Sequence, residues 1–333
     1  MSFEGVLNAL NEITPDKTVG ICGHTRPDGD AIGSTLALAS VLSLAGIDAY
    51  PLLPDEQTVP ETYTWLTHSD KYVNPSQAPL QLDYLFVLDT PTIKRLGEGS
   101  TYLARAQTII LIDHHMRQDI PAVECFVDTT ASSTSQLVWD LVRASRFEIS
   151  ADTAGACYVG LSTDTGSFQH SNTTPKALHD AADMVDAGAL PFEVANHMYN
   201  SKTQAALELE GRILERLTLV NDGLIAYSYV ADSDFSETGA LRSEGENLVE
   251  LVRSVAGIKV ALMFTLNAHE TRISLRAKTG VDVSAVARVF GGGGHKAASG
   301  CTWPEKDADF DTVKTAVIEA VAQQILETPE DEY

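Results

Sequence analysis

Three clusters of acids and histidines stand out in the chain: His24, Asp28 and Asp30 in H-T-R-P-D-G-D, Asp89 in L-D-T, and the triplet Asp113, His114 and His115. Each follows an apolar, strand-like run. In an open parallel sheet the loops beyond the strands' carboxyl ends share one crevice, so groups far apart in the chain converge there. Carboxylates gathered that way repel one another unless a cation lies between them. Hard oxygens with imidazole nitrogens suit Mn²⁺, Mg²⁺, Fe²⁺ or Zn²⁺, and the lack of cysteine near these loops disfavours a thiolate zinc site. Oxygen-rich ligation with some histidine fits Mn²⁺ well. A further acid, Asp164 in T-D-T-G-S-F, follows an apolar helical stretch, where a negative charge opposes the helix macrodipole and a purely structural role is less natural. Taken singly, Asp28 or Asp30 would serve as a helix N-cap and P-D-G is ordinary turn chemistry. The recurrence at one end of successive strands carries the argument. Within the first cluster, Pro27 and Gly29 are expected to permit a tight turn, and Gly33 to let the following helix approach the sheet.

Near the other end, F-G-G-G-G-H-K places Gly291, Gly292, Gly293 and Gly294 before His295 and Lys296. Such a run lets backbone N–H groups close around an anion as a nest. The strand-like S-L-R-A-K that precedes it brings Arg276 and Lys278.

The elements that must position these residues follow a βαβ rhythm in the first half. Strands are expected over 18–23, 48–53, 84–88, 108–112 and 122–127, and helices over 31–45, 133–144 and 153–161. The strands' uninterrupted apolar character suits a parallel sheet buried on both faces. Residues 191–219 read as helical and charged. Beyond the turn signal Asn221-Asp222-Gly223, strands over 224–230, 259–267 and 271–277 alternate with helices near 247–255 and 283–290. The fold class is therefore α/β: a parallel-sheet domain, 1–190, a helical connector, 191–222, a smaller α/β domain, 223–328, and an acidic tail, 329–333, expected to be disordered.

With 333 residues and 44% hydrophobic content, the chain can bury two cores. The formal net charge of −23 argues against tracking along duplex nucleic acid, which calls for clustered Lys and Arg; short anionic ligands need only a local basic or metal-bearing pocket. Cys22, Cys125, Cys157 and Cys301 show no C-x-x-C spacing, and read as small buried hydrophobes. No basic leader precedes an apolar run and no stretch approaches the ~20 apolar residues of a membrane span; a cytoplasmic setting is expected, and a homodimer is a prior of symmetry alone.

In order, H-T-R-P-D-G-D, L-D-T, D-H-H and T-D-T-G-S-F resemble the four motifs of the DHH phosphoesterase family, and G-G-G-G-H resembles its DHH-associated C-terminal domain. The likeness covers roughly residues 19–303 and is greatest to stand-alone bifunctional oligoribonuclease/pAp phosphatases. It implies two divalent ions, Mn²⁺ foremost with Mg²⁺, Co²⁺ or Fe²⁺ as alternatives: His24 and Asp28 on one, Asp30, His114 and Asp164 on the other, Asp89 bridging. Asp113 would orient the histidines and His115 face the substrate phosphate. Arg276, His295 and the glycines 291–294 would bind the nucleotide, with the active site in the cleft between the domains. The implied reaction is metal-assisted water attack on phosphorus in short oligoribonucleotides, giving nucleoside 5′-monophosphates, and in pAp, giving AMP and phosphate. Hydrolysis of c-di-AMP or linear pApA is the alternative. A manganese inorganic pyrophosphatase is disfavoured by the absence of a basic S-R-K-K signature, and a long-DNA exonuclease by the absence of a basic channel. Two positions depart from the family pattern: Gln118 stands where relatives often carry Asn, and Gln169 where many carry Arg.

Overall fold

The computed structural model describes residues 3–116, 119–245, 247–267, 270–278, 280–303 and 308–328; Gln118 and the acidic tail lie outside them. The chain divides into two compact units, Met1–Ser201 and Lys202–Tyr333. The stretch read as a connector is shared between them, because each of its helices has an apolar face that joins a different core.

In the first unit the order is α1 (Phe3–Glu12), β1 (Thr18–Cys22), α2 (Gly29–Leu44), β2 (Asp48–Leu52), β3 (Leu82–Leu88), a 3₁₀ segment (Ile93–Ala104), β4 (Ala106–Asp113), β5 (Glu124–Val127), α3 (Thr134–Ala144), α4 (Ala151–Asp164), α5 (Pro175–Asp186) and α6 (Pro191–Tyr199). The five strands are all parallel, in the order β2-β1-β3-β4-β5. Successive side chains alternate between two cores, as strand geometry requires. Phe86 and Leu88, with Ile110 and Ile112, join the helical side, while Leu85, Val87 and Leu111 pack with Leu96 and Tyr102 of the 3₁₀ segment. Both faces are thus buried, as the apolar runs predict, though one is covered by 3₁₀ turns rather than by α-helices.

The chain leaves β1 for β2 on one side and returns to β3 on the other, so the order reverses between β1 and β3. The loops that leave these two strands open a crevice at that reversal, the usual ligand position in such sheets. His24 and Asp89 sit in those two loops. The helix after β1 is held close by glycine, but against another helix rather than the sheet as anticipated. A Cβ on Gly33 would lie 2.4 Å from the Ala156 carbonyl oxygen of α4. Nor does Gly29 supply the turn. Arg26 takes the left-handed backbone there, with φ 52°, and Gly29 makes room for Thr163, whose Oγ1 a Cβ would meet at 2.3 Å.

The second unit contains α7 (Gln204–Glu215), β6 (Thr218–Val220), β7 (Ile225–Ala231), α8 (Asp232–Thr238), α9 (Val249–Arg253), β8 (Val260–Leu266), β9 (Thr271–Ala277), α10 (Val283–Val289), β10 (Gly293–Gly294), β11 (Ala298–Thr302) and α11 (Phe310–Glu327). Its sheet runs β10-β11-β9-β8-β7-β6, with β7 and β8 parallel and the other pairs antiparallel. Leu209 and Ile213 of α7 pack on one face with Val249 and Val252, and Val313, Val317 and Val321 of α11 on the other. Among the described residues, no helix is long and apolar enough to cross a membrane, and all four cysteines are buried single thiols.

Asp234 anchors this unit. It is 1% exposed, accepts from the Ala231 N–H at the start of α8 at 2.8 Å, and takes both Arg216 guanidinium nitrogens at 2.6 and 2.7 Å. Arg216 holds its carboxyl down to about 2. A depressed carboxyl stabilises the fold above the ordinary carboxylate range, and that contribution fades as pH falls through about 2. Asp234→Asn is therefore expected to cost about 2 kcal/mol at pH 7, the worth of charge-assisted hydrogen bonds. In urea titrations the gap from the parent should shrink as pH is lowered below 4; a gap independent of pH would contradict the assignment.

Candidate metal centre

His24 follows β1 and is 2% exposed. Its Nδ1–H donates to the Thr25 carbonyl at 2.8 Å, and the Thr25 N–H donates to the Arg95 carbonyl at 2.7 Å. A carbonyl can only accept, so Nδ1 carries the hydrogen and Nε2 is turned to the crevice, the arrangement of a metal-binding imidazole. Nε2 lies 3.6 Å from Asp28 Oδ2 and 3.4 Å from Asp89 Oδ2.

Asp28 satisfies both of its sequence readings at once. Its Oδ1 caps α2, accepting from the N–H groups of Asp30 and Ala31 at 3.1 Å each, while Oδ2 faces His24. Asp30, the buried second residue of α2, points elsewhere: Oδ2 accepts from the Thr134 N–H at 2.6 Å and Oδ1 from the Ser135 N–H at 2.7 Å. The carboxylate is thus seated on the N-terminus of α3, where free N–H groups and the helix dipole favour negative charge. Its seat is tight. A Cβ on Gly160 of α4 would lie 1.9 Å from Ser135 Oγ and 2.8 Å from Asp30 Oδ1.

Asp89 is 2% exposed and adopts left-handed backbone, φ 53°, a conformation that costs a non-glycine residue energy and tends to persist at functional sites. Its N–H extends the β3–β4 ladder to the Ile112 carbonyl at 3.1 Å, so the turn begins one residue past the strand and throws the carboxylate across the crevice. The two oxygens then serve different neighbours. Oδ2 faces His24, while Oδ1 lies 3.6 Å from His114 Nε2 and 3.3 Å from His115 Nδ1 and accepts from Thr134 Oγ1 at 3.2 Å.

His114 Nε2 is also 3.3 Å from Asp164 Oδ2 and 4.0 Å from Asp30 Oδ2. Asp164 is the last residue of α4, as its apolar lead-in predicts, and its carboxylate faces this group despite the helix dipole. Asp113, wholly buried at the end of β4, holds His115 twice through one oxygen, from the backbone N–H and from Nδ1–H, both at 2.9 Å. Three sets of donor atoms result, each with all members within 4.8 Å: His24, Asp28 and Asp89; Asp30, His114 and Asp164; and Asp89, His114 and His115.

The electrostatics fit a cation. Burial raises the Asp30 carboxyl well above its ordinary value, with the Asp89 charge adding to it, and burial followed by the Asp30 charge does the same for Asp164. Burial alone would hold the His24 imidazole down; its hydrogen bonds to Asp28 and Asp89 reverse this and lift it to about 10. His115 is lifted to about 10 against burial by Asp113 and Asp89, whereas burial lowers His114. The His24 imidazole thus stands between the Asp28 and Asp89 carboxylates, while burial and like charge disfavour the ionised forms of Asp30 and Asp164, the forms that a bound cation favours. The donors are nitrogen and oxygen throughout, with no thiolate, and suit a hard divalent ion.

Arg276, on β9, is bonded through Nε–H to Glu250 Oε1 at 2.9 Å, and Glu250 also takes Arg253. The glycine run differs from an open nest. Gly291 caps α10 with φ 75°, the left-handed C-terminal stop that favours glycine. The N–H groups of Gly291 and Gly292 donate to Arg288 and Ala287 carbonyls at 3.1 and 2.8 Å, and Gly293–Gly294 pair with β11. The fold takes up the N–H groups of the run's first half, and the loop through His295 and Lys296 is exposed. Gln169 donates its N–H to the Thr165 carbonyl at 2.9 Å and is exposed.

Sequence reasoning passed over Thr134 and Ser135. Their signal was the hydroxyl-rich run Ser132-Ser133-Thr134-Ser135 at a helix start, whose burial the sequence does not announce.

Comparison with known proteins agrees with this architecture. The family model for the DHH family, N-terminal domain, matches residues 18–161, and that for the DHHA1 domain matches residues 223–325. The two together span most of the chain, which carries both of the domains that the motifs imply, a DHH N-terminal domain and a DHHA1 domain. Among curated proteins it is similar to the bifunctional oligoribonuclease and PAP phosphatase NrnA of Thermus thermophilus, 28% identical over 309 residues, covering 92% of this chain and 89% of that one. It is equally similar, at 28% over 311 residues, to the protein of the same name from Bacillus subtilis, covering 89% of this chain and 94% of that one. Among solved structures, an exopolyphosphatase-related protein from Bacteroides fragilis superposes with TM-score 0.87 at 22% identity, covering 97% of this chain and 96% of that one. Exonuclease RecJ bound to manganese gives TM-score 0.50 at 13% identity, covering 99% and 96%. These two likenesses are of fold.

If the crevice holds divalent ions, chelator-stripped protein should melt higher on adding Mn²⁺, by about 5–10 °C at a hundredfold excess over the dissociation constant. Asp89→Asn should abolish most of that shift, since it weakens both groups at once. An unchanged melting temperature in the parent protein would contradict the metal centre.

Proposed function

We propose that the chain is a phosphoesterase dependent on two divalent ions, Mn²⁺ foremost, that hydrolyses short oligoribonucleotides to nucleoside 5′-monophosphates and pAp to AMP and phosphate. The observation that carries this reading is the division of Asp89: one oxygen faces the His24 and Asp28 group, the other the His114 group. The relatives from Thermus thermophilus and Bacillus subtilis, named for both activities, are matched over about nine-tenths of both chains.

His24, Asp28 and Asp89 would hold one ion, and Asp30, His114, Asp164 and Asp89 the other. Bound there, the pair would supply a nucleophilic water at neutral pH and charge stabilisation for the phosphoryl oxygens. The chain's own residues do the rest. Asp28, open to solvent on one side while Asp30 and Asp89 are buried, marks the side from which a phosphate enters. Asp113 fixes the His115 ring through its double hold, so that the imidazole is preorganised to contact a substrate phosphate rather than reoriented at each turnover. The buried seat of Asp30 on α3 keeps water from its outer oxygens. In the second unit, Arg276, His295 and glycines 291–294 would contact the nucleotide; Glu250 holds the Arg276 Nε–H at 2.9 Å.

The reading is tested by assaying chelator-stripped and Mn²⁺-loaded protein on a ribodinucleotide, pAp, pApA, c-di-AMP and pyrophosphate. Turnover of the dinucleotide and pAp only in the loaded form is expected. Asp89→Ala should lower kcat by about 10³-fold, the scale of removing a key electrostatic group, while Arg276→Ala should raise KM about tenfold with kcat little changed. Full activity in the stripped form, or exclusive turnover of pyrophosphate, would overturn it.

A further inference from the structure

A chain of buried hydrogen bonds reaches the metal centre from the far side of α3, and none of its members was picked out by motif. Asp180 of α5 is 5% exposed and Gln136 of α3 is 1% exposed. Asp180 Oδ2 accepts from Gln136 Nε2 at 2.6 Å, and Gln136 Oε1 accepts from the Ser132 N–H at 2.8 Å. Ser132 is in turn clasped to Asn172: its hydroxyl donates to the Asn172 carbonyl at 2.5 Å, and Asn172 Nδ2 donates to the Ser132 carbonyl at 3.2 Å. The same Nδ2 donates to the backbone carbonyl of Asp164 at 3.2 Å.

The orientation of the Gln136 amide is fixed by its two neighbours, an accepting carboxylate and a donating N–H. A carboxylate accepts and does not donate, so Asp180 forces the Gln136 amide to present its NH₂ outward and its oxygen to Ser132. Reversed, the amide would set oxygen against carboxylate and NH₂ against N–H, leaving the Ser132 N–H and both polar atoms of the Gln136 amide unsatisfied. Lys176 donates to the same Asp180 Oδ2 at 2.7 Å and to Asp140 Oδ1 at 2.8 Å. Two consequences follow. Ser132 sits just before the α3 cap, Ser133, so its position sets where the Thr134 and Ser135 N–H groups meet Asp30. Through Asn172 the same residue ties the end of α4, and with it Asp164, to the start of α3.

We infer that Gln136 and Asp180 form a positioning pair that sets the spacing between Asp30 and Asp164 and hence the affinity of the ion held by Asp30, His114 and Asp164. This rests on the metal centre proposed above. The other group has independent supports, the Thr25 carbonyl for His24 and the α2 N-terminus for Asp28, and is touched by the strut only through Thr134 on Asp89.

The test is Mn²⁺ titration calorimetry of the full-length, chelator-stripped protein, with circular dichroism as the check on folding. The parent should bind two Mn²⁺. Gln136→Met, nearly isosteric but without either hydrogen bond, should weaken one of them about 10- to 100-fold, the usual cost of losing an outer partner of a ligand, and leave the other within a few-fold. Gln136→Glu should weaken the same ion by setting two carboxylates together, and Gln136→Glu combined with Asp180→Asn should restore it, because the exchanged pair recovers both bonds. Asp140→Asn, at the end of the network beyond Lys176, should leave both affinities unchanged. Parent-like affinities in folded Gln136→Met, or a double variant no better than Gln136→Glu, would overturn the inference. A parent protein that binds no Mn²⁺ would overturn the metal centre and the inference with it.

Discussion

Like charges brought together out of water are the constraint on which the rest of this molecule depends. Asp30 and Asp89 are almost wholly buried, and Asp164 joins them around His114. Such a cluster is destabilising unless protons, imidazoles or metal ions intervene. The surrounding structure holds it nonetheless: two backbone N–H groups of α3 on Asp30, two of α2 on Asp28, a strained backbone at Asp89. None of these devices neutralises the charge. They fix its position, which is what a site for a doubly charged ion needs and what a merely structural set of acids would not.

The sheet makes that convergence affordable in chain length. Because the strand order reverses between β1 and β3, the loops after these strands and after β4 empty into one crevice, and residues more than sixty positions apart meet without long excursions. The α2–α4 crossing at Gly33 and Gly160 then brings a further helix end, with Asp164, to the same place. Close packing at that crossing and the seat of Asp30 are the same feature, since a methyl group at Gly160 would intrude on both Ser135 and Asp30.

Much of this was legible in the sequence. Apolar runs ending in acids marked β1, β3 and β4, and the strands, α2, α3 and α4 fall within a few residues of their expected bounds. What escaped was structure whose signal is carried by spacing alone. In α11, Val313, Val317, Val321 and Ile325 recur at every fourth position, yet only one stripe is apolar and the acidic stretch beyond it draws attention away. The helices α1 and α5 bury only a few side chains each, and β10 and β11 are rich in glycine and small residues, which give little strand signal. At the site, the side chains whose chemical type suits a metal ion were readable. Residues that act through backbone N–H groups, such as Thr134 and Ser135, or through amides buried at a distance, such as Gln136, were not, because their role depends on burial and direction. The glycine run shows the converse: its composition spoke for an anion nest, while helix capping and strand pairing had prior use for its first N–H groups.

The central claim is that two ions share Asp89. Anomalous diffraction from crystals soaked in Mn²⁺ measures this directly. The account predicts two peaks, one in contact with His24, Asp28 and Asp89, the other with Asp30, Asp89, His114 and Asp164. A single peak, or two peaks of which one leaves Asp89 untouched, would contradict it.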